Sequence, residues 1–207
     1  MRRPDTWRTR PGPEKKAEKD MRMTVSIAAC VALAALMTWT ACDQRTPYER
    51  WVDEELASGE RHDTLFLGIW LGMPEKAFYD HCLELNRDSI VTDGLNMTVE
   101  YRLPGFEHEA TMLFFPKFED GVIAEMPVTI GYNGWAPWNR NLWADSLLPR
   151  VVDMLEQWYG AEFRQMEVPG YPQPTWVRID GNRQIVAWPE GEQYVKVVFT
   201  DLSRRRK

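Results

Sequence analysis

The 207-residue chain is poor in cysteine, holding only Cys30, Cys42 and Cys82. Beyond residue 42 a single thiol remains, so no internal disulfide can form there. The fold must rest on an apolar core, which the 165 residues from Asp43 onward are long enough to supply. Histidine is equally scarce: His62, His81 and His108 lack metal-ligand spacing, and no cofactor is expected. There is no phosphate-cradling glycine loop, nucleophile elbow or zinc-protease helix, and the carboxylates are scattered, so no glycosidase-type pair is legible. Basic charge is in deficit too. Residues 43–207 carry 17 Lys/Arg against 27 Asp/Glu, a formal charge of −10, which repels phosphate backbones and excludes a nucleic-acid partner. Long hydrophobic runs are absent but for one. With 44% hydrophobic and 27% charged residues the remainder reads as globular.

The exception is Met23–Cys42, which contains no charged residue and is preceded by Arg22 and followed by Asp43. A positive flank, a short apolar centre from Ile27 to Met37 and small residues at the end are the marks of an export signal. The text Trp39-Thr40-Ala41-Cys42 resembles the lipobox of bacterial lipoproteins, with Thr40, Ala41 and Cys42 matching and Trp39 standing where the family has an aliphatic residue. Ile27-Ala28-Ala29-Cys30 also fits the letters, but cleavage there would leave almost no apolar core. The resemblance implies cleavage before Cys42, lipidation of Cys42 and attachment to a membrane through acyl chains. An uncleaved membrane helix and a plain cleaved signal are the alternatives. All three place the rest of the chain outside the cytoplasm. Met1–Asp20 is polar and unlike a normal signal start, which leaves Met1, Met21 or Met23 as the first residue. Asp43 resembles the inner-membrane retention signal of some enteric bacteria.

The expected organisation is a polar extension and signal over 1–42, a polar tether over 43–63, an α+β domain over 64–201 and a basic tail over 202–207. Within the tether, Thr46-Pro47-Tyr48-Glu49 has the form of a capping box and predicts a short helix near Pro47–Ala57, ended by Gly59. In the domain, Thr64–Leu71 reads as a strand, and Phe78, Cys82 and Leu85 share one face of a helix over Pro74–Asn86. Alternation predicts strands at Met97–Leu103, Ala110–Phe115 and Val122–Tyr132. A second helix carries Leu148, Val151, Val152, Leu155, Trp158 and Tyr159 and stops at Gly160, with Pro149 in its first turn or at a kink. Strands at Phe163–Val168, Thr175–Ile179, Gln184–Trp188 and Gln193–Thr200 follow. The fold class is therefore α+β, antiparallel meanders packed on two main helices, with possible halves 64–132 and 133–201. Helix-then-meander order, with Leu71–Lys76 ("LGMPEK") before the first helix, resembles the small outer-membrane assembly lipoproteins and the β-lactamase inhibitor protein fold. Gly72, Met73 and Glu75 carry that resemblance, whereas Leu85-Asn86 stands where those families place a glycine. It implies a non-catalytic protein-binding module.

The densest candidate site is Gly131–Trp143, "GYNGWAPWNRNLW". Tyr132, Trp135, Trp138 and Trp143 are interleaved with Arg140 and with Asn133, Asn139 and Asn141, of which Asn141 is placed to cap the next helix. Indole faces can stack on a glycan or anchor a protein, or they can fold back to seal the core. Exposed indoles at Trp135 and Trp138 would mark the glycan case, and a wide apolar patch the protein case. Adjacent on one helix, His81 and Cys82 point about 100° apart, which argues against a catalytic dyad. The expected function is a lipid-anchored binding or scaffolding module of the bacterial cell envelope, facing the periplasm or the exterior, with an envelope protein as partner. Carbohydrate binding through 131–143 and a small envelope enzyme are the alternatives.

Overall fold

In the computed structural model, residues 45–160, 162–173 and 175–204 are described; the signal segment, Cys42 and the last three basic residues lie outside them. The first helix, α1 (Pro47–Ser58), starts as its sequence dictates. Thr46 Oγ1 accepts from the Glu49 N–H at 3.1 Å, and Glu49 Oε2 accepts from the Thr46 N–H at 2.7 Å, a complete capping box with Pro47 at the first position. Gly59 at φ 72° ends it. Trp51 buries against Val168, Val177 and Val186, with Val52 and Leu56 packed beside it, so the short helix expected near Pro47–Ala57 lies against the sheet.

Thr64–Leu71 is not a strand. Leu67 and Gly68 take φ of 52° and 77° and reverse the chain, while Leu65 N–H reaches the Ile69 carbonyl at 2.9 Å. Leu65, Phe66, Ile69 and Leu71 all enter the core, a pattern without the period of two that a strand needs. Next, α2 (Glu75–Arg87) buries Phe78 and half-buries Cys82 and Leu85. It ends in a Schellman motif without glycine: Ser89 takes φ 58°, its N–H bonds to Asn86, and the Ile90 N–H reaches back to Leu85, both at 3.0 Å.

Nine strands form one antiparallel sheet: β1 (Val91–Asp93), β2 (Val99–Leu103), β3 (Ala110–Phe114), β4 (Lys117–Glu119), β5 (Val122–Tyr132), β6 (Arg164–Gln165), β7 (Trp176–Asp180), β8 (Arg183–Glu190) and β9 (Tyr194–Asp201). Their order is β1-β2-β3-β5-β9-β8-β7-β6, with β4 hairpinned onto the start of β5. The β4–β5 turn is Asp120-Gly121, both at positive φ (52° and 75°), as a two-residue primed turn requires. The two meanders meet where β5 pairs β9 from Glu125↔Thr200 to Gly131↔Tyr194. β1 and β4 went unread in the sequence, and the expected strand Phe163–Val168 shrinks to β6 because Phe163 and Val168 plug opposite cores.

The third helix, α3 (Ala144–Tyr159), packs over β5, β9 and β8. Leu147, Val151 and Leu155 meet Ile130, Val197 and Ile185 in the larger core. Pro149 is the helix's sixth residue and exposed, so its missing N–H costs one bond in the second turn. Trp143, not Asn141, precedes the helix as its N-cap; Asn139 instead caps a 3₁₀ turn over Arg140–Leu142, accepting from the Asn141 N–H at 3.2 Å. Alternation places Ile185 and Ala187 of β8 under α3 and Val186 between them under α1, so this end of the sheet is covered on both faces.

Candidate functional site

Of the residues selected from the sequence, Trp135, Arg140 and Trp143 come together, while Tyr132 packs elsewhere and Trp138 stands apart. Tyr132 ends β5 with 6% exposure, its ring edge-on to His108 at 5.6 Å and to Phe106 at 6.5 Å, and burial raises its hydroxyl pKa. Trp135 is half-buried against the core and its indole N–H donates to the Glu192 carbonyl at 3.3 Å. Trp143 lies 6.5 Å from Trp135, and the Arg140 guanidinium covers its ring 3.6 Å from the centroid. Trp138 alone stands free, 85% exposed. Of the two indoles a glycan platform needed, Trp135 is spent on sealing the domain.

A tight polar cluster sits at the β7–β8 turn, Asp180-Gly181-Asn182-Arg183. Asn182 Oδ1 accepts from the His62 N–H at 2.8 Å, and its amide donates to Asp63 at 2.8 Å and Asp201 at 3.3 Å. Arg183, 4% exposed, holds Asp180 through two bonds of 2.6 and 3.1 Å, donates to the Thr64 carbonyl and lies 4.4 Å over the Tyr159 ring. Tyr159 in turn donates to the Leu65 carbonyl at 2.9 Å, and burial raises its pKa strongly. Three of these bonds, to His62, Asp63 and Thr64, tie segment 62–64 to the turn, and the others join the turn to itself and to β9 and α3 to Leu65. Its carboxylates are consumed internally, and the cluster holds structure together without opening to a substrate.

Neither Cys82 nor His81 is set for nucleophilic chemistry. Burial pushes the Cys82 thiol up to about 11, opposite to the activation a catalytic thiolate needs. His81 is turned away from any such role: its Nε2 meets the Leu67 carbonyl at 2.6 Å, which fixes the ring as Nε2–H donor. No three His, Cys, Asp or Glu side chains among the described residues are grouped to hold a metal ion. No described helix is long and apolar enough to cross a membrane.

What the structure adds is an apolar corner where α2 meets β1. Among the described residues nine large hydrophobic side chains are substantially exposed, and five of them, Tyr79, Leu83, Ile90, Leu95 and Met97, fall within residues 79–97. Three of these, Tyr79, Leu83 and Met97, line a groove of about 580 Å³ together with Phe78, Val91, Val99 and Phe115. Phe78, Tyr79, Phe115 and Phe118 form an aromatic cluster beside it, with centroids 5.8–6.4 Å apart in edge-to-face and tilted pairs. At its far side Asn96 and Met97 both take left-handed backbone, φ 55° and 60°, which points the Met97 side chain outward with 90% exposure. The sequence held a partial signal: Tyr79 and Leu83 repeat at i, i+4 on the α2 face opposite the core stripe. Comparison with protein-family models, curated proteins and solved structures returned no match.

Proposed function

We propose that the chain is a lipid-anchored, extracytoplasmic module of the bacterial cell envelope that binds or scaffolds a partner protein and carries out no chemistry of its own. The observation that carries the binding role is the apolar corner at α2 and β1. Scattered exposed apolar side chains are ordinary on a protein surface, but five of the nine exposed among the described residues fall within residues 79–97, and three of them, Tyr79, Leu83 and Met97, line one groove, which supports an interaction surface there. The absence of disulfides, the acidic surface and the lipobox-like text at Cys42 fit a domain held at a membrane by acyl chains rather than by its own face. The sheet order supports reading the domain as two helix-plus-meander halves, α2 with β1–β5 and α3 with β6–β9, joined through their last strands β5 and β9.

Photo-crosslinking in the native host tests the binding role. A photoreactive residue at Leu83 and, separately, at Met97 is expected to give one common protein adduct in the membrane fraction. The same probe at Trp138 is expected to give none. Adducts from Trp138 alone would move the surface to the tryptophan loop and defeat this reading.

A further inference from the structure

The charge and backbone around the groove narrow what can occupy it. Residues 75–100 carry six carboxylates, Glu75, Asp80, Glu84, Asp88, Asp93 and Glu100, against the two cations Lys76 and Arg87. Lys76 is already paired with Asp80 at 2.5 Å. Asp93 lines the groove, while Glu84 lies on α2 beside Leu83 and Asp88 is the C-cap of α2; none of the ion pairs among the described residues involves these three or Arg87, so two cations against six carboxylates leave this stretch with a net negative charge.

Strand β1 is a sheet edge, but it is only three residues long. The Gly94 N–H bonds to the Thr98 carbonyl at 2.8 Å, and the alternation of antiparallel pairing then turns the peptide groups of Val91 and Asp93 to the free edge. The Asn86 amide occupies the Val91 carbonyl at 3.1 Å. Beyond Asp93 the chain departs into the left-handed residues Asn96 and Met97. Too few backbone groups remain for a partner strand to pair, so recognition must run through side chains.

We propose, resting on the binding-module reading above, that the groove takes a partner-protein segment whose large apolar side chains insert between α2 and β1 while flanking Lys and Arg meet Glu84, Asp88 and Asp93. Leu83 and Met97 close on the inserted side chains from opposite walls. The costly left-handed pair at 96–97 is what holds Met97 in that position. An anionic lipid surface is a poor occupant, because the same carboxylates repel its headgroups.

The test titrates the full chain with a synthetic amphipathic peptide of Leu and Lys at helical spacing, its Leu/Glu twin, and vesicles of phosphatidylcholine with and without phosphatidylglycerol. The Leu/Lys peptide is expected to bind and the Leu/Glu twin not. The variants Leu83→Gln with Met97→Gln, and Glu84→Lys with Asp93→Lys, should each weaken binding roughly tenfold or more. All four positions are exposed, and unchanged thermal unfolding shows that each variant is folded. Equal binding of both peptides, no binding of either, or indifference to Leu83→Gln with Met97→Gln overturns the proposal. Vesicle binding abolished by Met97→Gln overturns it in favour of lipid. If the Leu/Lys peptide fails while Leu83 and Met97 still crosslink a common partner, the basic-segment inference falls and the binding-module reading stands; loss of both removes the module reading as well.

Discussion

Replacing Arg183 by Met removes the centre of the polar cluster and should be among the most damaging single changes in the domain. The guanidinium is 4% exposed and satisfies the Asp180 carboxylate twice, at 2.6 and 3.1 Å, together with the Thr64 carbonyl. Met fills much of the volume but donates nothing. Asp180, 6% exposed, then keeps only the Arg178 Nε at 4.0 Å, beyond hydrogen-bond reach. Breaking a buried pair by removing one partner costs about 3–5 kcal/mol. For a domain of this size that corresponds to a fall in Tm of roughly 6–20 °C. Urea unfolding with an unchanged slope measures the loss directly. Adding Asp180→Leu to Arg183→Met should restore most of the stability, since an apolar pair replaces a broken ionic one. A single variant within about 1 kcal/mol of wild type would refute the reasoning, because it would mean that the buried carboxylate finds compensation outside this cluster.

Three further outcomes follow from particular residues. A Cβ at Gly181 would stand 2.4 Å from the Glu60 carbonyl oxygen, so Gly181→Ala should cost more than about 2 kcal/mol, and Gly170→Ala, where no atom lies within 4 Å, distinctly less; equal losses by chemical unfolding would contradict this. Ser89→Gly should stabilise the domain by roughly 0.5–1 kcal/mol by relieving left-handed strain at φ 58°, read as a higher urea midpoint, and a lower midpoint would speak against the Schellman assignment. With its pKa raised from 9.0 to about 11, Cys82 should alkylate roughly 100-fold more slowly at pH 8 in the native protein than in urea. The folded state holds that proton more tightly than the unfolded chain, so the stability it contributes is full below about pH 8.5 and is lost as pH rises toward 11.

Much of the fold was legible because its signals are local. Thr46-Pro47-Tyr48-Glu49 announces α1 by a cap that closes within four residues, β5 follows its alternation from Val122 to Tyr132, and Asp120-Gly121 dictates a turn. The misreadings share a cause in long-range contacts. Thr64–Leu71 has the composition of a strand, but Leu65, Phe66, Ile69 and Leu71 all find burial in one core, so tertiary packing overrides propensity. At the Trp-rich loop the sequence left open whether the indoles face a ligand or seal the core, and Trp135 takes the second course through a bond to the Glu192 carbonyl that sequence spacing does not reveal. The apolar corner was hidden for the opposite reason. Its parts are a weak i, i+4 pair on α2 and the Met97 side chain, exposed on left-handed backbone at 96–97, a conformation that no glycine announces.

The rest of the account depends on the domain being displayed at the envelope by Cys42. Intact mass of the protein purified from membranes of its native host, compared with Cys42→Ser, tests this most directly. The account predicts loss of residues 1–41 together with an added diacylglycerol mass, both abolished by the substitution. A mass equal to the full chain would contradict it and make Met23–Cys42 an uncleaved anchor.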